Sequence, residues 1–218
     1  MARRALPMAQ KSSRLVPWMG APGREEDKMK DAFALDAARD DMLILVDGLD
    51  REVGEATKEL AHSEGLLHRA FSVVLVREGP GEDGSKAEVL LAQRAEGKYH
   101  SGGLWANSCC SHPHVGEKTV DAAYRRTQEE LGCTAEGLEE IGAFVYRAEF
   151  GSGLFEYEYD HVFVGRMAGD LDPDPDEVGG TRWVTADELA RLLAEEPGMF
   201  CAWAFTVLSL ALRHITRR

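Results

Sequence analysis

Apolar and polar residues occur in short runs through the middle of the chain, a pattern that predicts β-strands. The first run is Met42–Val46. Residues 52–60 are then expected to lead the chain away from this strand. Further strands are predicted at 71–76 and 88–93. The loop between these two, at 79–85, contains the glycines and the proline expected of a hairpin connection.

Between residues 118 and 131 the spacing of the apolar residues changes to that of an α-helix. Gly132 stands where a helix commonly stops. The positions spaced to form one buried helical face are Val120, Ala123, Thr127 and Leu131.

The second half of the chain returns to strands and then ends in helices. Strands are predicted at 141–150, 155–165 and 181–184. A capping box from Thr185 to Glu188 predicts a helix that runs to residue 194, and a final helix is expected at 200–215. Many strands around one central helix, with helices at the end, predict an α/β sandwich built on a mixed β-sheet flanked by helices.

Residues 1–41 mix proline, glycine and charge without a sustained apolar period. We expect them to form a poorly ordered N-terminal extension, with at most a short helix at 31–39, and the catalytic domain to span 42–218. Residues 1–24 are basic and contain no acid, which suits either an organelle transit peptide or a flexible tail. A start codon assigned too early is a third interpretation, because Met29 lies before the first clear strand and Met42 stands at its start.

The charge balance narrows the possible partners. With 25 basic and 38 acidic residues the formal net charge is −13, which disfavours nucleic acid. No apolar run approaches the roughly 20 residues that span a bilayer, so we expect no membrane segment. Four cysteines without a secretory pattern favour a reducing, cytoplasmic compartment, and we expect a monomer.

Cys110 and His112 lie two residues apart in a strand-like segment that leads into a loop. At this spacing their side chains would project to one side, whereas Cys109 would face the other way. The pair alone is weak evidence for a reactive site, because buried cysteines usually serve as small apolar residues and loop histidines are usually solvated.

Glu156 and Glu158 alternate on a predicted strand and therefore share a face. Two adjacent carboxylates repel each other, so either they are solvated on an exposed face or a cation lies between them. The alternation does not decide which face of this strand is buried. With His62, His68 and His112 they make five ligands that suit an octahedral, Mn²⁺-like ion with one open position.

The predicted central helix carries charges at a spacing with two interpretations. Arg125 with Glu129, and Arg126 with Glu130, could form ordinary ion pairs on a solvated face. The alternative is that the segment resembles the Nudix box, which binds magnesium and diphosphate, through Ser111, Glu117, Arg125, Glu129, Glu130 and Gly132. Two positions depart from that box, since its first glycine is Ser111 here and the glutamate after its arginine is Arg126.

The order of several motifs strengthens this resemblance. From about residue 42 to the C-terminus the chain resembles the type I isopentenyl diphosphate isomerases, which have the Nudix fold. The segments that carry the resemblance are 107–113 (Asn-Ser-Cys-Cys-Ser-His-Pro), 125–126, 129–132, 146–148, 156–158 and 203–205.

This resemblance implies isomerisation of isopentenyl diphosphate to dimethylallyl diphosphate, with roles for individual residues. The implied catalytic residues are Cys110 and Glu158, with Tyr146 as a supporting proton donor. Mn²⁺ would be held by His62, His68, His112, Glu156 and Glu158, and Mg²⁺ by Glu130 together with the substrate diphosphate. The cations assigned to the diphosphate by motif position and charge are Lys58, Arg94, Lys98 and Arg126.

The implied chemistry also explains the aromatic residue in the last motif. Protonation of one carbon before deprotonation of another creates a tertiary carbocation, which the π face of Trp203 could stabilise. Two rival functions remain, a Nudix hydrolase and a diphosphate-binding protein without catalysis. Arg126 in place of the box glutamate argues against the hydrolase. The presence of Cys110 and Glu158 argues against a protein that binds diphosphate without catalysis.

Overall fold

One long strand organises the sheet of this protein. The computed structural model describes residues 41–79, 87–98, 100–151 and 153–216, and the sheet in this part of the chain has nine strands. The strands are β1 (Met42–Val46), β2 (Glu52–Thr57), β3 (His68–Glu78), β4 (Ala87–Arg94), β5 (Trp105–Ala106), β6 (Cys109–Ser111), β7 (Thr134–Phe150), β8 (Leu154–Ala168) and β9 (Val178–Thr185).

Helices pack against both faces of this sheet. They are α1 (Lys58–Glu64), α2 (Thr119–Leu131), α3 (Ala186–Glu195) and α4 (Ala204–Ile215), with a 3₁₀ turn at Pro197–Met199. Among the helices in the described ranges, none is long and apolar enough to cross a membrane.

The strand β3 has neighbours along both of its edges. It pairs with β8 in parallel over 68–76, and its other contacts, with β1, β6 and β4, are antiparallel. β7 adds to β8, and β9 adds to β4, both antiparallel. The sheet is therefore mixed, and β3 brings residues that are far apart in the chain into neighbouring positions.

Alternation along β3 sends its side chains into two separate apolar clusters. Phe71, Val73 and Leu75 pack with the buried face of α2, whereas Val74 packs with α3 and α4 on the other side. Cys109 belongs to the α2 cluster, and its neighbour Cys110 contacts the opposite one. The predicted opposite orientation of the two cysteines is confirmed.

Local sequence signals account for the ends of the main helices. Thr185 accepts a hydrogen bond from the backbone N–H of Glu188, as the predicted capping box requires. Gly132 ends α2 with φ 66°, and a Cβ there would lie 2.4 Å from the carbonyl oxygen of Asp172. Only glycine suits both this conformation and this close approach.

The predicted α/β architecture is confirmed, with differences in the extent of the elements. The region 52–60 divides into β2 and α1 because Thr57 caps the helix by accepting from the N–H of Leu60. β7 begins at Thr134, seven residues before the predicted 141, because Gly137 and Gly142 and two register shifts obscure its alternation. The extension at 1–40 lies outside the described residues, as does most of the predicted hairpin loop at 79–85.

Candidate active site

Three histidines from separate segments meet at the N-terminal end of β3. His62 lies in the last turn of α1, which Gly65 ends in the left-handed conformation at φ 62°. The chain then turns so that His68 opens β3, while His112 follows β6. The ring of His68 lies 5.0 Å, centroid to centroid, from each of the rings of His62 and His112.

Backbone hydrogen bonds determine which ring nitrogen of two histidines faces the site. Nδ1 of His62 lies 2.8 Å from the carbonyl oxygen of Lys58, and Nδ1 of His68 lies 2.8 Å from that of Leu66. Because a carbonyl can only accept, both Nδ1 atoms carry a proton. In the neutral rings Nε2 then holds the lone pair, and this nitrogen of each ring is directed toward the glutamates of β8.

The two glutamates lie on the buried face of β8. Glu156 and Glu158 are 4% and 7% exposed, which answers the question that the alternation left open. His68 and Glu158 are register partners on β3 and β8, with Nε2 and Oε1 3.6 Å apart. Oε1 of Glu158 also lies 3.0 Å from Nε2 of His112, and Oε1 of Glu156 lies 3.7 Å from Nε2 of His62.

These side chains form a donor set that could hold a divalent metal. One ligand atom from each of His62, His68, His112 and Glu158 lies within 4.8 Å of the others. Nε2 of His68 is buried and makes no hydrogen bond within the described residues. Three imidazole nitrogens and a carboxylate oxygen suit Mn²⁺, Fe²⁺ or Zn²⁺ and include no thiolate. Glu156 lies beside this set.

The ionisable groups of this cluster have pKa values shifted in different directions. Burial opposes ionisation of Glu158, but the neighbouring His68, Glu156 and Tyr146 outweigh it and lower the pKa of Glu158 to about 2. Burial and the charge of Glu158 raise the pKa of Glu156. Burial lowers the pKa of His62 to about 4. The cluster therefore contains the ionised carboxylate of Glu158 and the neutral imidazole of His62.

Cys110 lies next to this cluster and contacts the indole of Trp203. The indole Nε1–H of Trp203 donates to Sγ of Cys110 at 3.1 Å, and the thiol lies 3.4 Å from Oδ1 of Asn107. Burial, reinforced by the charges of Asp160 and Glu130, raises the pKa of Cys110 well above its usual value. The thiol is therefore protonated at neutral pH and can donate a proton.

Tyr146 occupies the position on β7 opposite Glu158. Its hydroxyl donates to Oε2 of Glu158 at 2.6 Å, and the two residues are register partners. Burial and the charge of Glu158 raise the pKa of Tyr146 well above its usual value. The phenol therefore keeps its proton and can stabilise negative charge on Glu158.

Basic residues line the same cavity. Lys98 pairs with Glu177, and Nη2 of Arg126 lies 2.5 Å from Oε1 of Glu130. The guanidinium of Arg94 lies 5.4 Å from the ring centre of Trp203. The side chains that line this cavity are Lys58, Arg94, Lys98, His100, Cys110, Ser111, His112, Arg126, Glu130, Tyr146, Glu156, Glu158, Glu177 and Trp203.

The structure thus brings every sequence-predicted site residue to one place. All of them line this cavity except His62 and His68, which lie beside it in the histidine–glutamate cluster. The ion pairs expected within α2 are also present, at 3.2 Å between Arg125 and Glu129 and 2.5 Å between Arg126 and Glu130.

Three buried or half-buried residues of the site were not predicted. Asp160 is 1% exposed and accepts a hydrogen bond from Ser72 at 2.8 Å, and continued alternation beyond Glu158 could have identified it. Glu177 joins Lys98 and Arg126 from the loop between β8 and β9, whose acidic composition is typical of an exposed segment. His100 contacts Glu156, and nothing in its local sequence indicated this contact.

Comparison with known proteins identifies the family of this chain. Residues 66–203 match the NUDIX domain family. The chain is 45% identical over 164 residues to "Isopentenyl-diphosphate Delta-isomerase 2" of Aromatoleum aromaticum, which covers 75% of this chain and 82% of that protein. It is 44% identical to "Isopentenyl-diphosphate Delta-isomerase" of Burkholderia multivorans over 79% of this chain and 93% of that protein. The same-named protein of Streptomyces griseus subsp. griseus is 48% identical over 78% of this chain and 83% of its own length.

Solved structures show the same fold at low sequence identity. A protein from Deinococcus radiodurans aligns with a TM-score of 0.55 at 18% identity, covering 81% of this chain and 98% of the other. A MutT NUDIX hydrolase from Burkholderia pseudomallei aligns with a TM-score of 0.51, also at 18% identity, over 66% of this chain and 97% of the other. At these identities the likeness concerns the fold alone.

Proposed function

The chain belongs to the isopentenyl-diphosphate Delta-isomerases of the NUDIX domain family, and from this premise we propose how its residues interconvert isopentenyl diphosphate and dimethylallyl diphosphate. The observation that carries the proposal is that Cys110, with its proton, and Glu158, without one, line one cavity beside Trp203. Moving a double bond along an allylic unit requires one group to give a proton and another to take one.

We propose that Cys110 and Glu158 are these two groups. The reaction runs in both directions through the same path, so each group donates in one direction and accepts in the other. Tyr146 supports Glu158 through its 2.6 Å hydrogen bond, which stabilises the ionised carboxylate. Trp203 holds the thiol in place through the indole N–H.

Trp203 has a second proposed role, at the charged intermediate. Protonation of the double bond leaves a tertiary carbocation that water would trap. Trp203 is only 4% exposed, so a cation beside its ring would be largely desolvated. Cation–π attraction is then worth about 2 kcal/mol, and exclusion of water protects the intermediate.

The diphosphate would bind through the basic residues that line the cavity, which are Lys58, Arg94, Lys98 and Arg126. This local concentration of cations explains how a chain with a net charge of −13 can bind an anion. In the described structure Lys98 and Arg126 both contact Glu177, so the acid competes with the substrate for these cations. We propose that the diphosphate displaces these ion pairs.

The family uses divalent metals, and we propose two of them here. Mn²⁺ would be held by His62, His68, His112, Glu156 and Glu158. The donor set fits this ion, since the buried Nε2 of His68 otherwise makes no hydrogen bond among the described residues.

Mg²⁺ would be held by Glu130 with the diphosphate oxygens, which is how a small hard cation usually binds a phosphorylated substrate. When bound, the metals would hold Glu158 in place, adjust its acidity and neutralise part of the diphosphate charge.

The hydrolase alternative receives no support from the helix. Arg126 stands where the Nudix box has a glutamate, and it contacts Glu129 at 2.8 Å and Glu130 at 2.5 Å. Hydrolysis would need that glutamate to complete a magnesium cluster, and Arg126 cannot supply the carboxylate. A cytoplasmic monomer that binds no nucleic acid stays our prediction for the state of the protein in the cell.

Solvent deuterium tests the proposed reaction directly. Metal-loaded protein is incubated with isopentenyl diphosphate in D₂O, and the products are examined by NMR and mass spectrometry. We expect deuterated dimethylallyl diphosphate and an intact diphosphate. The absence of deuterium uptake with both Mn²⁺ and Mg²⁺ present would contradict the proposed chemistry, and release of phosphate would indicate a hydrolase.

A further inference from the structure

His100 is a buried histidine that none of the roles above explains. It lies between β4 and β5, is 7% exposed, and its Nε2 lies 2.5 Å from Oε1 of Glu156. Its Nδ1 lies 3.1 Å from the hydroxyl of Ser101. Because an ionised carboxylate can only accept, Nε2 carries the proton and donates to Glu156, and Nδ1 can accept from the hydroxyl of Ser101.

Aromatic packing holds the ring of His100 in this position. The ring stacks on Phe150 at 4.2 Å between centroids and 13° between planes, and it meets Trp203 edge-on at 6.1 Å. Arg94 also donates to the backbone carbonyl of His100, at 3.5 Å. An imidazole held on both sides is a fixed donor, so it can determine where the carboxylate of Glu156 lies.

The position of Glu156 matters because this carboxylate stands between two imidazoles. Its Oε1 lies 2.5 Å from His100 but 3.7 Å from Nε2 of His62. The compact set of ligand atoms is formed by His62, His68, His112 and Glu158, so Glu156 lies next to it. Hydrogen bonds to ligating carboxylates commonly determine their orientation and so affect metal affinity.

We propose that His100 is a positioning residue that orients Glu156 for the metal and connects this carboxylate to the rings of Phe150 and Trp203. The proposal rests on the proposed Mn²⁺ site. His100 does not need to touch the substrate or the ion in this role. Its effect passes through Glu156, and its ring packing on Phe150 keeps the hydrogen bond in one geometry.

Two substitutions separate the hydrogen bond from the ring packing. His100→Gln keeps an N–H donor near the position of Nε2 but loses the aromatic ring. His100→Phe keeps the stack on Phe150 but loses the donor. We expect His100→Phe to weaken Mn²⁺ binding by about tenfold, the lower end of the range seen for such outer partners, and His100→Gln to weaken it by about threefold or less.

The measurement is Mn²⁺ affinity and stoichiometry by equilibrium dialysis and electron paramagnetic resonance, without substrate. His161→Phe is the matched control, because His161 is a partly buried histidine of the same sheet that does not line the cavity. It should bind Mn²⁺ as the unaltered protein does. Thermal unfolding of each variant checks that the fold is retained.

A double-mutant cycle with Glu156→Gln tests whether His100 affects Mn²⁺ binding through Glu156. If His100 acts through Glu156, adding His100→Phe to Glu156→Gln should lower affinity by less than about twofold. Full additivity of the two substitutions, or unchanged affinity in His100→Phe, would overturn the inference while leaving the isomerase proposal intact. Failure of the unaltered protein to bind Mn²⁺ would instead refute the proposed metal site.

Discussion

The indole N–H of Trp203, immediately before α4, donates to the sulfur of Cys110, at the centre of β6, across 3.1 Å. The two residues are 93 positions apart in the chain. One contact therefore joins the residue proposed to stabilise positive charge to the residue proposed to transfer a proton. A change in either should affect turnover.

Substitution of Trp203 should separate its two proposed contributions. Trp203→Leu removes the π face and should lower kcat by about thirtyfold, because about 2 kcal/mol of cation–π stabilisation is lost. Trp203→Phe retains a π face but loses the N–H donor, and should lower kcat by only about fivefold. Trp183→Phe is the control, since Trp183 packs under Arg77 and does not line the cavity. Equal losses in Trp203→Leu and Trp203→Phe would contradict the π contribution.

Cys110→Ala should abolish most of the turnover without unfolding the protein. Loss of a proton-transfer group typically lowers kcat by about 10²–10⁴-fold. Cys133 is the matched control, because it is buried in the α2 cluster and does not line the cavity. Cys133→Ala should cost about 1 kcal/mol of stability and leave kcat nearly unchanged. Steady-state kinetics and denaturant unfolding measure both quantities, and a near-normal kcat in Cys110→Ala would refute the role of the thiol.

The protonation state of Cys110 predicts how its alkylation depends on pH. Burial raises its pKa well above the ordinary value of 9.0, so the thiolate that reacts with iodoacetamide is a minor species at neutral pH. The rate should rise about tenfold per pH unit from pH 7 to about 9, without reaching a plateau. Mass spectrometry of the labelled peptide, with Cys110→Ala as the blank, follows the reaction. A plateau at pH 8 or below would show a thiolate instead.

Glu158→Gln should remove proton transfer and weaken metal binding together, because this carboxylate belongs to both proposed sites. In the unaltered protein, Mn²⁺ at 100 times its dissociation constant should stabilise the fold by about 2.7 kcal/mol. The variant should lose most of this stabilisation as well as its turnover. Glu149→Gln changes an exposed glutamate of β7 and should retain both. Thermal unfolding with and without Mn²⁺ provides the comparison, and normal turnover in Glu158→Gln would exclude it as a catalytic group.

Much of the fold followed from local patterns because the relevant interactions are local. The buried face of α2 and its stop at Gly132 come from spacing within about four turns of helix, and the cap at Thr185 involves residues three apart. β5 and β6 were not resolved as separate strands, since two or three residues are too short for a period to appear. Their pairing with β4 and β3 is what defines them.

The residues of the site were identified from the order of motifs, but several relationships among them were not. His100 approaches Glu156 only because the segment before β5 folds over the end of β7, where Phe150 supports the ring. Glu177 reaches Lys98 and Arg126 from a loop whose acidic composition indicated only solvent exposure. Such contacts depend on how loops pack, which no local period describes.

The sequence by itself determined that Glu156 and Glu158 share one face of a strand, and that Cys109 and Cys110 face opposite ways, because alternation is a property of the extended backbone. Only the tertiary structure decided that the glutamates face inward. The parallel pairing of β3 with β8 places Glu158 beside His68, 90 residues away, and β7 brings Tyr146 to its other side. The burial that raises the pKa of Cys110 and the neighbours that lower the pKa of Glu158 both come from these long-range pairings.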